Sequence, residues 1–287
     1  MYFLSFTSMK KTFFASLLLM AAMQTVKAQM VVLHKTDGQT IECSVSQLDS
    51  ITFEDEKPII VDEHDYVEIG GLKWATMNVG ATTVAGSYET CCGDFFAWGE
   101  TKPRYASMTL TEEGEATFVW RAGYANGYSE DNYPTYIWAT LDADHDAATA
   151  AWGKDWHTPT DNDFNALIRA CTTNDYGQEP TILSGTVMEG GIYWLSATQT
   201  YEPEYSGVAG VLFVSMNDIT KRVFFPACGY IEKWELKYAG KFGDYWSASL
   251  NQSNTYYARL LSISSSFFMP STSSLRCGGI TVRAVRN

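Results

Sequence analysis

Three kinds of residue in this chain could do chemistry: an alternating run of aspartates, six cysteines, and tyrosines crowded into polar stretches. Asp142, Asp144 and Asp146 alternate in LDADHDAA, the spacing with which a calcium loop begins to supply oxygen ligands. An EF-hand also needs glycine at its sixth position and glutamate at its twelfth, and those places hold Ala147 and Gly153. The run therefore reads as the solvated entrance of a helix, whose dipole favours acidic groups there. Ca2+ is a second reading that the pattern leaves unsupported, and no other cofactor is indicated.

Cys43, Cys91, Cys92, Cys171, Cys228 and Cys277 contain no Cys-x-x-Cys and no histidine close to a pair, so no zinc pattern is present. An oxidising compartment permits bridges among them, but spacing cannot choose the pairing. The adjacent Cys91 and Cys92 would bridge one another only in strained geometry, so each is read as another cysteine's partner or as a free thiol. There is no nucleophile elbow, H-E-x-x-H pair, phosphate loop or dinucleotide fingerprint. His157, between Trp156 and a helix start, reads as structural. The chain is expected not to be an enzyme.

Recognition is the chemistry that remains. Tyr124, Tyr128, Tyr133 and Tyr136 fall in a long aperiodic stretch, and Tyr256, Tyr257 and Arg259 lie near the end of the chain. Tyrosine offers rigid contact area with a polar tip, so these seven are the expected ligand-binding residues. Trp74, Trp98, Trp156 and Trp246 sit in strand and turn patterns and are expected in the core.

Those residues need elements to hold them. From Gly243 to Asn287 short apolar runs alternate with Ser, Asn and Tyr, the pattern of paired strands joined by polar loops. Residues 66–69 and 72–75 flank Gly70-Gly71 as a hairpin, and 191–197 repeats the aromatic-Trp strand chemistry of 243–249. Residues 102–136 show no helical period and read as a long loop. Two helices are expected. One is Ala-rich from Asp146 to Trp152. The other runs from Thr160 to Cys171, with Thr160 and Asp163 as a capping box and Phe164, Leu167, Ile168 and Cys171 as its apolar stripe.

The first residues carry an address. Met9-Lys10-Lys11, an apolar run over 13–23 and Val26-Lys27-Ala28 make residues 1–28 a signal peptide, with Met9 as an alternative start. The apolar run is short for a bilayer span, and no later stretch reaches spanning length. Export by the Sec pathway to the periplasm, outer surface or medium is expected. A small β module follows over 29–57, with a hairpin about Asp37-Gly38, then an acidic linker over 58–65 and one large domain over 66–287. The net charge of −13 repels phosphate backbones, so a nucleic-acid partner is not expected.

The runs LKWATMNVGA, GDFFAWGE, DHDAATAAWGKDWHTPT, VFFPACGY, GDYWSAS and GGITVRAVR occur in that order over residues 66–285. In them the chain resembles the Fibrobacter succinogenes major paralogous domain family of exported Bacteroidetes proteins, grouped with C-type-lectin-like and formylglycine-generating-enzyme-like folds. The resemblance implies an α+β, C-type-lectin-like domain: a twisted, mostly antiparallel sheet, two flanking helices and paired terminal strands. It implies no activity. Met77 and His157 depart from it, standing where cysteine and arginine are common, and the Trp-Asn-Asp run of calcium-dependent lectin sites is absent. The reading that follows is an exported, non-catalytic adhesion protein that binds a glycan or protein at the cell surface. The alternatives are a structural subunit of a surface assembly or an extracellular enzyme. Residues 252–274, rich in Ser, Asn and Thr, read as exposed β-loops rather than a diversified ligand platform.

Overall fold

A computed structural model describes residues 30–34, 40–44, 64–110, 116–124, 127–172 and 180–287. The chain divides into two compact units, Met1–Glu63 and His64–Asn287. In the first, β1 (Met30–His34) and β2 (Thr40–Ser44) pair antiparallel, with His34 opposite Thr40, and the expected Asp37-Gly38 turn lies outside the described residues. The signal-peptide segment, the 48–53 alternation and most of the expected linker lie outside the described residues. Among the described residues no helix is long and apolar enough to cross a membrane.

The second unit is mostly β-sheet with three short helices. It opens with the hairpin β3 (Tyr66–Ile69) and β4 (Leu72–Ala75). Its turn needs glycine: Gly70 has φ +66°, and a Cβ there would meet the Ala166 carbonyl oxygen at 2.7 Å. Next come α1 (Tyr88–Cys91), too short to show a period in sequence, and β5 (Phe95–Phe96). The hairpin of β6 (Tyr105–Leu110) and β7 (Ala116–Trp120) corrects the expectation of a long loop over 102–136. Phe118 and Trp120 turn inward while Thr117 and Val119 are exposed, so a period-2 signal was present there.

The two longer helices are α2 (Ala147–Trp152) and α3 (Asp161–Ala170). Asp146 caps α2 with one carboxylate oxygen, accepting from the Ala148 and Thr149 amides. Thr160 and Asp163 close the expected capping box on α3. All four stripe residues, Phe164, Leu167, Ile168 and Cys171, are buried. Thr160→Ala is expected to cost about 1 kcal/mol, read as a lower urea midpoint with an unchanged slope.

The remaining strands are β8 (Ile182–Leu183), β9 (Gly191–Leu195), β10 (Gly210–Val214), β11 (Arg222–Pro226), β12 (Tyr230–Glu232), β13 (Glu235–Lys237), β14 (Phe242–Leu250), β15 (Tyr257–Ser264), β16 (Phe268–Leu275), β17 (Ile280–Thr281) and β18 (Val285–Arg286). They form a five-stranded sheet β16-β15-β14-β17-β5, a four-stranded sheet β11-β10-β9-β8 and a three-stranded sheet β18-β4-β3. The pairs β14–β17 and β8–β9 are parallel, and every other pair of named strands is antiparallel. Val285 lies opposite Trp74, which brings β18 to the β3–β4 hairpin.

The four tryptophans expected in the core are each at most 1% exposed. Trp98 donates to the Ser247 carbonyl at 2.8 Å and Trp246 to the Phe96 carbonyl at 2.7 Å, so their indole N–H groups are satisfied. Three buried arginines tie loops to this core. Arg283 donates to Ala75 and Phe224 carbonyls, and Arg276 donates to those of Thr255, Pro134 and Tyr136. Arg104 makes a bidentate pair with Glu100 and reaches the Asn132 carbonyl at 2.7 Å.

Candidate functional site

A groove is lined by the ends of β9, β14 and β15 and by Tyr88 of α1. It has a volume of about 480 Å³. Trp194 forms one wall. On β9, Tyr193 and Leu195 pack into one core cluster, while Ile192 and the half-buried Trp194 pack against another. Tyr88 of α1 forms a second wall, its hydroxyl accepting from the Ala209 amide at 2.8 Å. Burial raises the Tyr88 phenol above its ordinary range, against that hydrogen bond, so it stays protonated. Gly240 lets the loop before β14 approach, because a Cβ there would lie 2.9 Å from the Tyr88 hydroxyl.

The floor and rim are polar. Ser264 closes the β15–β16 turn, its hydroxyl accepting from the Ser266 and Phe267 amides, which leaves Ser265 and Ser266 exposed beside the groove. Ser196 and Thr198 add two exposed hydroxyl residues. Lys241 is the one charged lining residue, and no ion pair engages it among the described residues. From Phe242 a file of rings continues across the surface. Phe242 lies 5.3 Å from Phe267 and 5.0 Å from Tyr238, which lies 5.9 Å from Tyr230. Tyr238 is half exposed and holds φ +58°, a conformation that is costly for a bulky residue and that clusters at binding sites.

The expected tyrosine surface is only partly there. Tyr128 is 2% exposed and Tyr136 7%, which corrects their placement at the surface. The reason is polar satisfaction deep in the fold. The Tyr128 hydroxyl donates to the Phe95 carbonyl, and the Tyr136 hydroxyl donates to that of Thr140 while its ring stacks on His145 at 4.0 Å. Tyr124 is half-buried against Arg104. Tyr133 and Tyr256, distant in sequence, do meet, with ring centres 5.2 Å apart over the Arg276 clamp, and Tyr256 is well exposed. Tyr257 and Arg259 are half-buried on β15, and Arg259 donates to the Ser271 carbonyl at 3.0 Å. None of the seven lines the groove.

The aspartate run does not converge on a point. Asp146 spends its other oxygen on the Thr158 amide at 2.8 Å, and Asp142 faces His145 Nδ1 at 2.7 Å. That His145 hydrogen bond lowers the Asp142 carboxyl below its ordinary range. Among the described residues the one cluster of three ligand-type side chains is Cys91, Cys92 and Cys228. Cys92 and Cys228 are joined as a disulfide, while Cys91, Cys171 and Cys277 are buried free thiols. No family model, curated protein or solved structure matches this chain.

Proposed function

We propose that the second unit is a non-catalytic carbohydrate-binding module of an exported protein, and that its groove takes a sugar bearing carboxylate or sulfate groups. The carrying observation is the lining itself: aromatic rings, exposed hydroxyl residues and a single unpaired cation. The C–H face of a pyranose carries partial positive charge and suits the negative face of an indole ring. Ser196, Thr198, Ser265 and Ser266 suit its hydroxyls. Lys241 is an isolated positive charge on a chain of net charge −13, so it selects for an acidic substituent within the groove. No aspartate, glutamate, histidine or cysteine lines the cleft, and its two titratable side chains, Tyr88 and Lys241, are assigned to contact and charge recognition.

The resemblance to the Fibrobacter major paralogous domain, with its C-type-lectin-like fold, supports the same reading through the paired terminal strands and the helices packed on sheet. Action at the cell surface after Sec export belongs to this proposal.

The test is calorimetric titration with polygalacturonate and with its methyl-esterified, neutral form. Trp194→Ala is expected to weaken binding to both roughly tenfold or more. Lys241→Ala is expected to abolish the preference for the acidic form, and Lys241→Arg to keep it. No binding of either polymer, or full affinity in Trp194→Ala, would overturn the assignment.

A further inference from the structure

Cys91 and Cys92 are consecutive, yet only one can bond Cys228 at a time. Cys92 holds that bond, with Cα atoms 5.4 Å apart, and Cys91 remains a thiol that is 1% exposed. The three sulfurs nevertheless all lie within 4.8 Å of one another. Cys91 is the last residue of α1 and Cys92 its right-handed helical C-cap, so both project from one turn toward the same partner. We propose that Cys91, Cys92 and Cys228 form an intramolecular thiol–disulfide exchange site, in which Cys228 passes between its two adjacent partners.

The step balances without an outside oxidant or reductant. The Cys91 thiolate attacks Cys228 Sγ, the Cys92–Cys228 bond breaks, and Cys92 leaves as the thiolate. It then takes up the proton that Cys91 released. Burial pushes the Cys91 thiol up to about 12, while the nearby Arg283 cation pulls it back toward ionisation. The other titratable groups coupled to it are the Tyr88 and Tyr245 phenols. Exchange is therefore slow at neutral pH and speeds up as pH rises toward the thiol's range.

The site touches the groove through α1, which carries Tyr88 at its first position and Cys91 at its last. Moving the bond from the C-cap to the final helical residue turns this four-residue helix and shifts the Tyr88 wall. This coupling rests on the groove reading, whereas the exchange itself does not.

The experiment uses the full chain with Cys92→Ser. Free thiols are alkylated in guanidinium chloride at about pH 6, where exchange is slow, the protein is digested without reduction, and tandem mass spectrometry locates the linkage. The expected result is a Cys91–Cys228 bond in most molecules. Alkylated Cys91 and Cys228 in a variant that keeps the wild-type near-ultraviolet circular dichroism would overturn the proposal. If Cys92→Ser does not fold, wild type held at about pH 9 and quenched in acid is mapped instead. Both linkages are then expected, and Cys92–Cys228 alone overturns exchange. Titration of the folded variant with polygalacturonate reads the coupling: an altered affinity supports it, and an unchanged one removes it while leaving exchange intact. Failure of wild type to bind the polymer counts against the groove reading only.

Discussion

Cys228→Ser is expected to lower the stability of the second unit by about 2–5 kcal/mol. The lost bridge joins residues 136 positions apart, and a loop of that length loses much of its entropy when closed in the unfolded chain. It also fastens Cys228, two residues beyond β11, to the C-cap of α1 beside the buried Asn78, whose amide donates to the Cys92 carbonyl at 3.0 Å. Cys92→Ser is expected to cost much less, because Cys91 can take the vacant place. Cys91→Ser, which leaves the bond untouched, should cost least. Urea unfolding followed by tryptophan fluorescence reads all three. Equal losses in Cys92→Ser and Cys228→Ser would show that Cys91 does not substitute.

Asp244→Asn is expected to stabilise the protein at pH 7 by about 1–3 kcal/mol and to give little benefit near pH 4. Asp244 lies on β14 two residues on from the groove's Phe242, and burial raises its carboxyl from 3.8 to about 6 against the Ser262 hydrogen bond of 2.6 Å. Between those two values the folded chain holds a proton that the unfolded chain releases. Stability therefore falls as pH rises through roughly 4 to 6, and above that window a charged carboxylate sits in an apolar setting. The amide carries no such charge. Stability curves for the two proteins should converge on acidification, and a constant gap from pH 4 to pH 8 would rule out this origin.

What the sequence disclosed depended on how local the signal was. The capping box on α3, the buried stripe through Cys171 and the core tryptophans rest on spacing within a dozen residues, where helical and strand periods act directly. The β6–β7 hairpin was equally local, in Phe118 and Trp120, but the surrounding Gly, Glu and Thr masked its short alternation. Tyr128 and Tyr136 misled because a tyrosine in a polar stretch looks the same whether its hydroxyl meets water or a buried carbonyl. The groove had no local signature. Tyr88, Trp194, Lys241 and Ser265 come from four separate segments, and each is ordinary in its own neighbourhood.

The pairing of β18 with β4 sets an order of events for the newly made polypeptide. Lys73 reaches the carbonyl of Asn287, 214 positions away, and the Arg283 guanidinium closes on Ala75 across 208. A polypeptide made amino end first leaves β4 without this neighbour until Val285 and Arg286 have emerged, so the pairing is a late, long-range step of folding.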